Sequence, residues 1–299
     1  MSVDPDALLG WFDRAERELP WRAADVTPWQ ILVSEFMLQQ TPVARVLPTW
    51  TDWVTRWPTP AATAAACRAD LLRAWGKLGY PRRAVRLHEA AEVIVREHAG
   101  VVPDDVDALQ RLPGVGAYTA RAVACFAYGR RVPVVDTNVR RVVARAVHGL
   151  ADAGPPATVR DHADAAALLP PDARAARFSA ALMELGALVC TARAPQCAVC
   201  PLRDSCAWHV AGRPAGTAPR RPAQRYAGTD RQVRGRLLDV LRDSATPVTR
   251  AELDVAWPAD DVQRERALAA LLADGLAERT ADGRFALPGQ DRNATTASR

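Results

Sequence analysis

The chain has 299 residues, 49% of them hydrophobic, with a formal net charge of +5 and a pI near 9.1. That is enough for one large domain or two smaller ones, and the basic balance suits a polyanionic partner. No apolar run reaches the roughly 18 residues of a membrane span, and Asp4, Asp6, Asp13, Glu16 and Glu18 near the start argue against a secretory signal, so a cytoplasmic, nucleoid-associated protein with no membrane partner is expected.

Asp4 to Arg17 has the pattern of an amphipathic helix carrying Leu8, Leu9, Trp11 and Phe12, and Leu19-Pro20-Trp21-Arg22 breaks it. Thr27 and Pro28 read as N-cap and first helical residue of a helix reaching Gln39, with Ile31, Leu32, Phe36 and Leu38 on one face. Glu35 lies on that apolar helix. Gln40-Thr41-Pro42 reads as a second cap signal, before Val43, Val46, Leu47, Trp50 and Trp53. Thr59-Pro60 opens a helix expected to run to about Trp75. Gly76 to Pro81 is a loop, and Arg82 to His98 is helical again.

Asp107 to Asp136 organises the rest. A short helix ends at Leu112, the Pro113-Gly114-Val115-Gly116 turn follows, and a second helix runs to about Tyr128. Glycines can take positive φ without a Cβ penalty, so the turn can be tight. The first N–H groups of the second helix would then point outward, a ready anion site. This is what a helix–hairpin–helix looks like in sequence, its usual anion being a DNA backbone phosphate; a plain αα-hairpin fits the turn equally well. Asp136 then caps a helix from Thr137 to about Val147, and helices are expected at about 157–168 and 174–189.

Of six cysteines, Cys67 and Cys125 stand alone in helical surroundings and read as buried inert thiols. Cys190, Cys197, Cys200 and Cys206 are spaced C-x6-C-x2-C-x5-C, which in a reducing compartment indicates metal ligation. Zinc usually takes two C-x2-C knuckles. The wider spacings here suit one compact loop around a four-iron cluster.

Residues 212–229 are rich in Pro, Gly, Ala and Arg and read as a linker. Beyond it, helices at 231–243, 250–256 and 260–274 and two short strands between Leu276 and Leu287 suggest a small winged helix over 230–289. Residues 290–299 read as a disordered tail.

Together the pieces resemble the helix–hairpin–helix DNA glycosylases with an iron–sulfur cluster, and within them the MutY-type adenine DNA glycosylases. The resemblance spans about Leu8 to Cys206 and rests on LPWR (19–22), SEFMLQQT (34–41), LGY (78–80), LPGVGAYTA (112–120), VDTNV (135–139), MELGALVC (183–190) and the cysteine spacing. It implies an all-α, two-lobed glycosylase domain over 1–211, closed by a loop at 190–206 that holds one [4Fe-4S] cluster, with a small winged-helix-like α+β domain after it. It implies a monomer acting on double-stranded DNA with a mismatched adenine, opposite 8-oxoguanine or guanine. Glu35 becomes the acid that protonates adenine N7, and Asp136 the carboxylate that stabilises an oxocarbenium-like sugar. Tyr118 takes the active-site tyrosine position and Asn138 that of the asparagine orienting the aspartate. Glu184 matches an acidic contact to the flipped adenine, and Trp21 and Arg22 match pocket positions. Gln40, Thr41, Leu78 and Tyr80 match residues that fill the gap and hold the orphaned partner base, while Gly114, Val115 and Gly116 meet the DNA backbone. An apolar helix face and a nearby Asp136 are expected to raise Glu35 above the ~4.3 of a free glutamic acid.

There are two departures. Pro81 stands where a second aromatic often follows the LGY tyrosine, and the C-terminal stretch is too short and helical for the Nudix-like domain that reads 8-oxoguanine in many relatives. Three other readings stay open: an endonuclease III-type glycosylase/lyase, a thymine-mismatch glycosylase of the same fold, and a non-catalytic iron–sulfur DNA-binding protein. The lyases use a lysine where this chain has Tyr118, and Lys77 is the sole lysine.

Overall fold

A computed structural model describes residues 3–156, 158–216 and 226–290. In chain order the helices are α1 (Pro5–Ala15), α2 (Pro28–Leu38), α3 (Val43–Arg56), α4 (Pro60–Ala64), α5 (Arg68–Trp75), α6 (Arg82–Glu97), α7 (Val106–Gln110), α8 (Ala117–Tyr128), α9 (Thr137–Ala146), α10 (Thr158–Leu168), α11 (Ala175–Leu188) and α12 (Ala207–Val210). The C-terminal segment adds α13 (Asp230–Asp243), α14 (Arg250–Ala256), α15 (Asp261–Ala273) and an antiparallel pair, β1 (Glu278–Arg279) and β2 (Phe285–Ala286). None of the described helices is long and apolar enough to cross a membrane.

Local chemistry sets most boundaries. Thr27 and Gln30 bond reciprocally at the start of α2, Gln30 N to Thr27 Oγ1 at 3.3 Å and Thr27 N to Gln30 Oε1 at 2.8 Å. Thr59 caps α4 through the Ala62 N–H at 3.1 Å. Three expectations need correction. Thr41 does not cap α3; Pro42 holds the N-cap position without a side-chain bond, and the Thr41 hydroxyl is engaged elsewhere. The helix from Thr59 breaks into α4 and α5, with Cys67 extended between them and its thiol donating to the Gly289 carbonyl at 3.4 Å. Of the two turn glycines Gly114 alone has positive φ (+77°), while Gly116 is an extended N-cap (φ −88°, ψ 176°).

The described residues divide into two compact units. The first comprises residues up to Leu32, Pro103–Arg111 and the stretch from Val115. Its core is built where α1, α9 and α11 meet through Leu8, Phe12, Val139, Val142, Phe178 and Leu185. The second comprises Val33–Val102, Leu112–Gly114 and the C-terminal segment. Here the Trp53 and Trp75 rings meet edge-on at 5.9 Å, with Phe36, Leu72, Leu87 and Ile94 also buried.

Within this second unit the C-terminal segment is stitched to α5 and the residues that follow it. Arg242 Nε donates to the Leu72 carbonyl at 3.0 Å, Arg73 Nη2 to the Ser244 carbonyl at 3.1 Å, and Arg82 pairs with Asp274 at 3.3 Å. The β-pair is extended by Val248, which bridges Phe285 and adds a strand position the sequence did not reveal. The linker expectation covers residues 217–225, which lie outside the described residues, as do 291–299 of the expected tail. Gln290 is fixed: it is buried and donates to the Ser244 carbonyl at 3.3 Å.

Candidate nucleic-acid and catalytic site

In the first unit Asp136 is the N-cap of α9. Its Oδ1 accepts the Val139 N–H at 2.7 Å and its Oδ2 accepts Asn138 Nδ2 at 2.8 Å. Burial pushes the carboxyl above its ordinary range, while these donors and the Arg141 charge pull it back. Asn138 is fixed in turn by Arg141, whose Nη2 donates to Asn138 Oδ1 at 2.7 Å and to the Gly186 carbonyl at 2.6 Å. Arg141 Nε donates to the Cys190 carbonyl at 2.7 Å. Asp136 is thereby tied to the cysteine loop through two side chains. Gly186 permits this closeness: a Cβ on it would sit 2.7 Å from Asn138 Cβ and 2.9 Å from its carbonyl oxygen.

Cys190, Cys197, Cys200 and Cys206 line one open pocket, with Arg145, Trp208 and His209. Among the described residues no three His, Cys, Asp or Glu side chains converge as one metal ion requires. Four thiols around one cavity are a donor set that fits a multi-iron cluster. Burial pushes Cys200 up to about 11 and raises Cys190, so metal loading here would release protons. Buried Arg145 grips the same loop, donating to the Thr191 carbonyl at 2.8 Å and reaching Cys190 Sγ at 3.5 Å.

Glu184 is 1% exposed, and its acceptor positions are filled. Oε1 takes Arg17 N at 3.0 Å and Arg17 Nε at 2.7 Å; Oε2 takes Arg17 Nη2 at 2.8 Å and Arg22 Nη2 at 3.0 Å. Burial would raise this carboxyl, but the hydrogen bonds and charges of the two arginines outweigh it and hold it at about 2. Glu184 and Arg22 are thus brought together, with Glu184 serving the arginines and no acceptor left over for a base. Trp21, beside Arg22 in a short 3-10 turn, is buried. Tyr118 lies in the first turn of α8 and packs against the small cluster of Ala122, Cys125 and Val134.

In the second unit Glu35 is 7% exposed on α2, and its helix neighbours Leu32, Val33, Phe36 and Met37 are buried. Among the described residues four non-glycines take positive φ, and two of them are Gln40 (+57°) and Tyr80 (+50°). Both side chains are exposed, whereas Thr41 and Leu78 beside them are buried. The Thr41 hydroxyl is therefore turned inward, 3.4 Å from the Leu78 carbonyl and 2.9 Å from Arg83 Nη2. Gly114, at the hairpin turn, is doubly required: besides its φ, a Cβ would lie 2.7 Å from Arg86 Cβ and 2.8 Å from Phe36 Cε1. A Cβ on Gly116 would meet nothing, so the start of α8 is open to a close approach from outside.

Sequence reasoning missed Arg17, Arg83, Arg141, Arg145 and Gly186. The Arg141/Arg145 spacing of four on one helix was an available signal.

Residues 33–163 match the family model described as HhH-GPD superfamily base excision DNA repair protein. Residues 190–206 match the iron–sulfur binding domain of endonuclease III, so the cysteine loop is an iron–sulfur binding domain. The adenine DNA glycosylase of Mycobacterium tuberculosis is 70% identical over 95% of this chain and 93% of its own length. That of Mycolicibacterium smegmatis is 69% identical over 97% of this chain and 98% of its own length. Among solved structures, a thermostable thymine-DNA glycosylase superposes with a TM-score of 0.63 at 26% identity, covering 69% of this chain and 95% of that one. The chain belongs to the adenine DNA glycosylases of the HhH-GPD superfamily of base excision repair proteins.

Proposed function

We propose that the protein, acting as a monomer on duplex DNA, removes adenine mispaired with 8-oxoguanine or guanine and leaves an abasic site. The observation that carries this reading is the Asp136 carboxylate, held by the Val139 N–H and Asn138 at the start of α9. Glu35, buried on an apolar helix, donates its proton to adenine N7 as the C1′–N9 bond breaks and both bond electrons leave with the base. Adenine departs neutral, which an anionic leaving group could not do readily; a positioned acid typically contributes ~10²–10⁴-fold. Asp136 supplies a fixed negative charge beside the cationic C1′. Water then adds at C1′ and returns a proton to Glu35, as in two-carboxylate glycoside hydrolysis.

Around this centre Asn138 orients Asp136 and Tyr118 lines the pocket. Glu184 acts by holding Arg17 and Arg22, with Arg22 and Trp21 shaping the base pocket. Gln40 and Tyr80 enter the duplex at the partner base, while Thr41 and Leu78 support them from beneath; an inserted side chain offsets part of the few kcal/mol lost on flipping. Gly114, Val115 and Gly116 present N–H groups to a backbone phosphate. Cys190, Cys197, Cys200 and Cys206 would hold one [4Fe-4S] cluster, whose role when bound is to close the loop that Arg141 and Arg145 grip.

Tyr118 at the lyase lysine position supports base removal without strand scission. The test is incubation with duplexes bearing A opposite 8-oxoguanine, A opposite G, and T opposite G, with borohydride trapping in parallel. Adenine release with no trapped adduct is the expected result. Thymine release, or a covalent adduct forming as fast as base loss, would replace this reading with one of the neighbouring glycosylase chemistries.

A further inference from the structure

Arg83 is a charged side chain buried to 8% exposure in the second unit, and its guanidinium is committed to three segments at once. Nη1 donates to the Phe36, Met37 and Gln39 carbonyls at 2.8, 2.9 and 2.6 Å. Nη2 donates to Thr41 Oγ1 at 2.9 Å and the Gly79 carbonyl at 3.0 Å. The same group lies 5.4 Å from the Tyr80 ring and 5.2 Å from the Trp75 ring.

Each acceptor has a reason to need it. The Phe36 and Met37 carbonyls belong to the last turn of α2, where no further helical N–H follows, and a cation at a helix C-terminus is favoured by the dipole. The Gln39 carbonyl and Thr41 hydroxyl flank Gln40, and the Gly79 carbonyl precedes Tyr80. Gln40 and Tyr80 both have left-handed backbone, which is strained for a non-glycine residue and persists only where surroundings impose it. Arg83 imposes it on both. The arrangement leaves Nε–H, a buried donor, with no partner among the described residues, so the clamp is kept at an energetic cost. A lysine could not copy it, having three donors on one atom in place of a planar fork.

We propose that Arg83 is a positioning residue that sets the two partner-base loops and joins them to the end of the helix bearing Glu35. Seating of Gln40 and Tyr80 and placement of the acid are thereby one mechanical event. This rests on the reading of Gln40 and Tyr80 as residues that engage the partner base. Neither segment can shift without breaking bonds to a guanidinium that the other also holds.

The test uses the full-length protein with its cluster, as wild type, Arg83→Lys and the milder Thr41→Val, which removes one acceptor of the clamp. Single-turnover excision at saturating enzyme is measured for adenine opposite 8-oxoguanine and opposite guanine. Affinity is measured on a duplex with a non-cleavable adenine analogue, and folding by thermal unfolding. Arg83→Lys is expected to keep affinity within about threefold, yet lose about tenfold or more in the single-turnover rate and compress the ratio between the two partners. Thr41→Val should move the same quantities less. If both rates and affinity fall together in proportion to the folded fraction, Arg83 is merely structural and the proposal is overturned; an unchanged saturating rate also overturns it. Should Arg83→Lys not fold, an unchanged rate and ratio in Thr41→Val overturns it instead. A wild-type ratio of one would sink the partner-base reading, while the saturating rate would still judge the clamp.

Discussion

Two arginines each organise candidate residues of one unit, and they do so differently. Arg141 in the first unit acts at the end of a line. It fixes Asn138, which fixes Asp136, with every residue of the line in ordinary helical or cap geometry. Arg83 in the second unit acts at the centre of a star, gripping carbonyls and a hydroxyl around Gln40 and Tyr80, both at positive φ. A carboxylate that must face one developing charge needs a single orientation, which a cap supplies without strain. On the proposed reading, side chains that enter a duplex need an exposed, held conformation, and at Gln40 and Tyr80 that conformation is adopted beside a buried cation. Under the proposed function, the difference separates chemistry from reading.

The largest expected effect tests the chemical half. Glu35→Gln and Asp136→Asn should each reduce single-turnover excision by roughly 10²–10⁴-fold with duplex affinity retained, and the double variant should lose far less than the product of the two. A Glu35→Gln protein that excises adenine at near the wild-type rate would break the assignment.

Next in size is the Glu184 ion pair. A carboxyl depressed in the folded state holds its proton more weakly there than in the unfolded chain. Its contribution is therefore complete above the unfolded value of about 4.3 and is lost as pH falls towards 2. Wild type should exceed Glu184→Gln in unfolding free energy by up to about 3 kcal/mol near neutrality, the gap closing through that acidic window. A pH-independent gap would show that the pair is not its source.

Gly186→Ala sharpens the division. The new methyl would collide with Asn138, so α9 and α11 must separate at a cost of about 1–3 kcal/mol. Excision should fall equally for both partner bases, in contrast to Arg83→Lys, and a selective loss with one partner would blur the line between the halves. The smallest effect is expected from Lys77→Gln. Its pairing with Asp239 is long, 3.9 Å, and the lysine is 85% exposed, so melting should shift by no more than about the equivalent of 1 kcal/mol.

Much of the fold was legible locally. Thr27, Thr59 and Asp136 announce their helices because a cap is chemistry within three residues, and each cap is made as read. Thr41 misled for the same reason: it has a cap's sequence, but Arg83, forty-two positions on, takes its hydroxyl. The break before α5 has no Pro or Gly to mark it, and Cys67 finds its partner at Gly289, more than two hundred residues away. Arg17, Arg83, Arg141 and Arg145 went unread, since nothing in a one-dimensional pattern separates a guanidinium committed to internal partners from a solvated one. Gly186 sat mid-helix with no turn to explain it, and its reason is a neighbour on another helix.

The C-terminal segment carries eleven Asp and Glu against nine Arg over residues 226–290, in a chain that is basic as a whole. Its contacts to Leu72, Arg73 and Arg82 flank the Tyr80 loop, a placement that favours bracing that loop over meeting phosphate.

The composition has a practical consequence at the same place. With arginine almost everywhere else, Lys77 is the single ε-amine of the chain, exposed and three residues before Tyr80. Acylation of amines, ordinarily a scattershot treatment, becomes site-directed: apart from the α-amine, one dye or cross-linker goes on per molecule. It lands beside the loop proposed to engage DNA, and no further cysteine need be added to a chain that already carries an iron–sulfur binding loop.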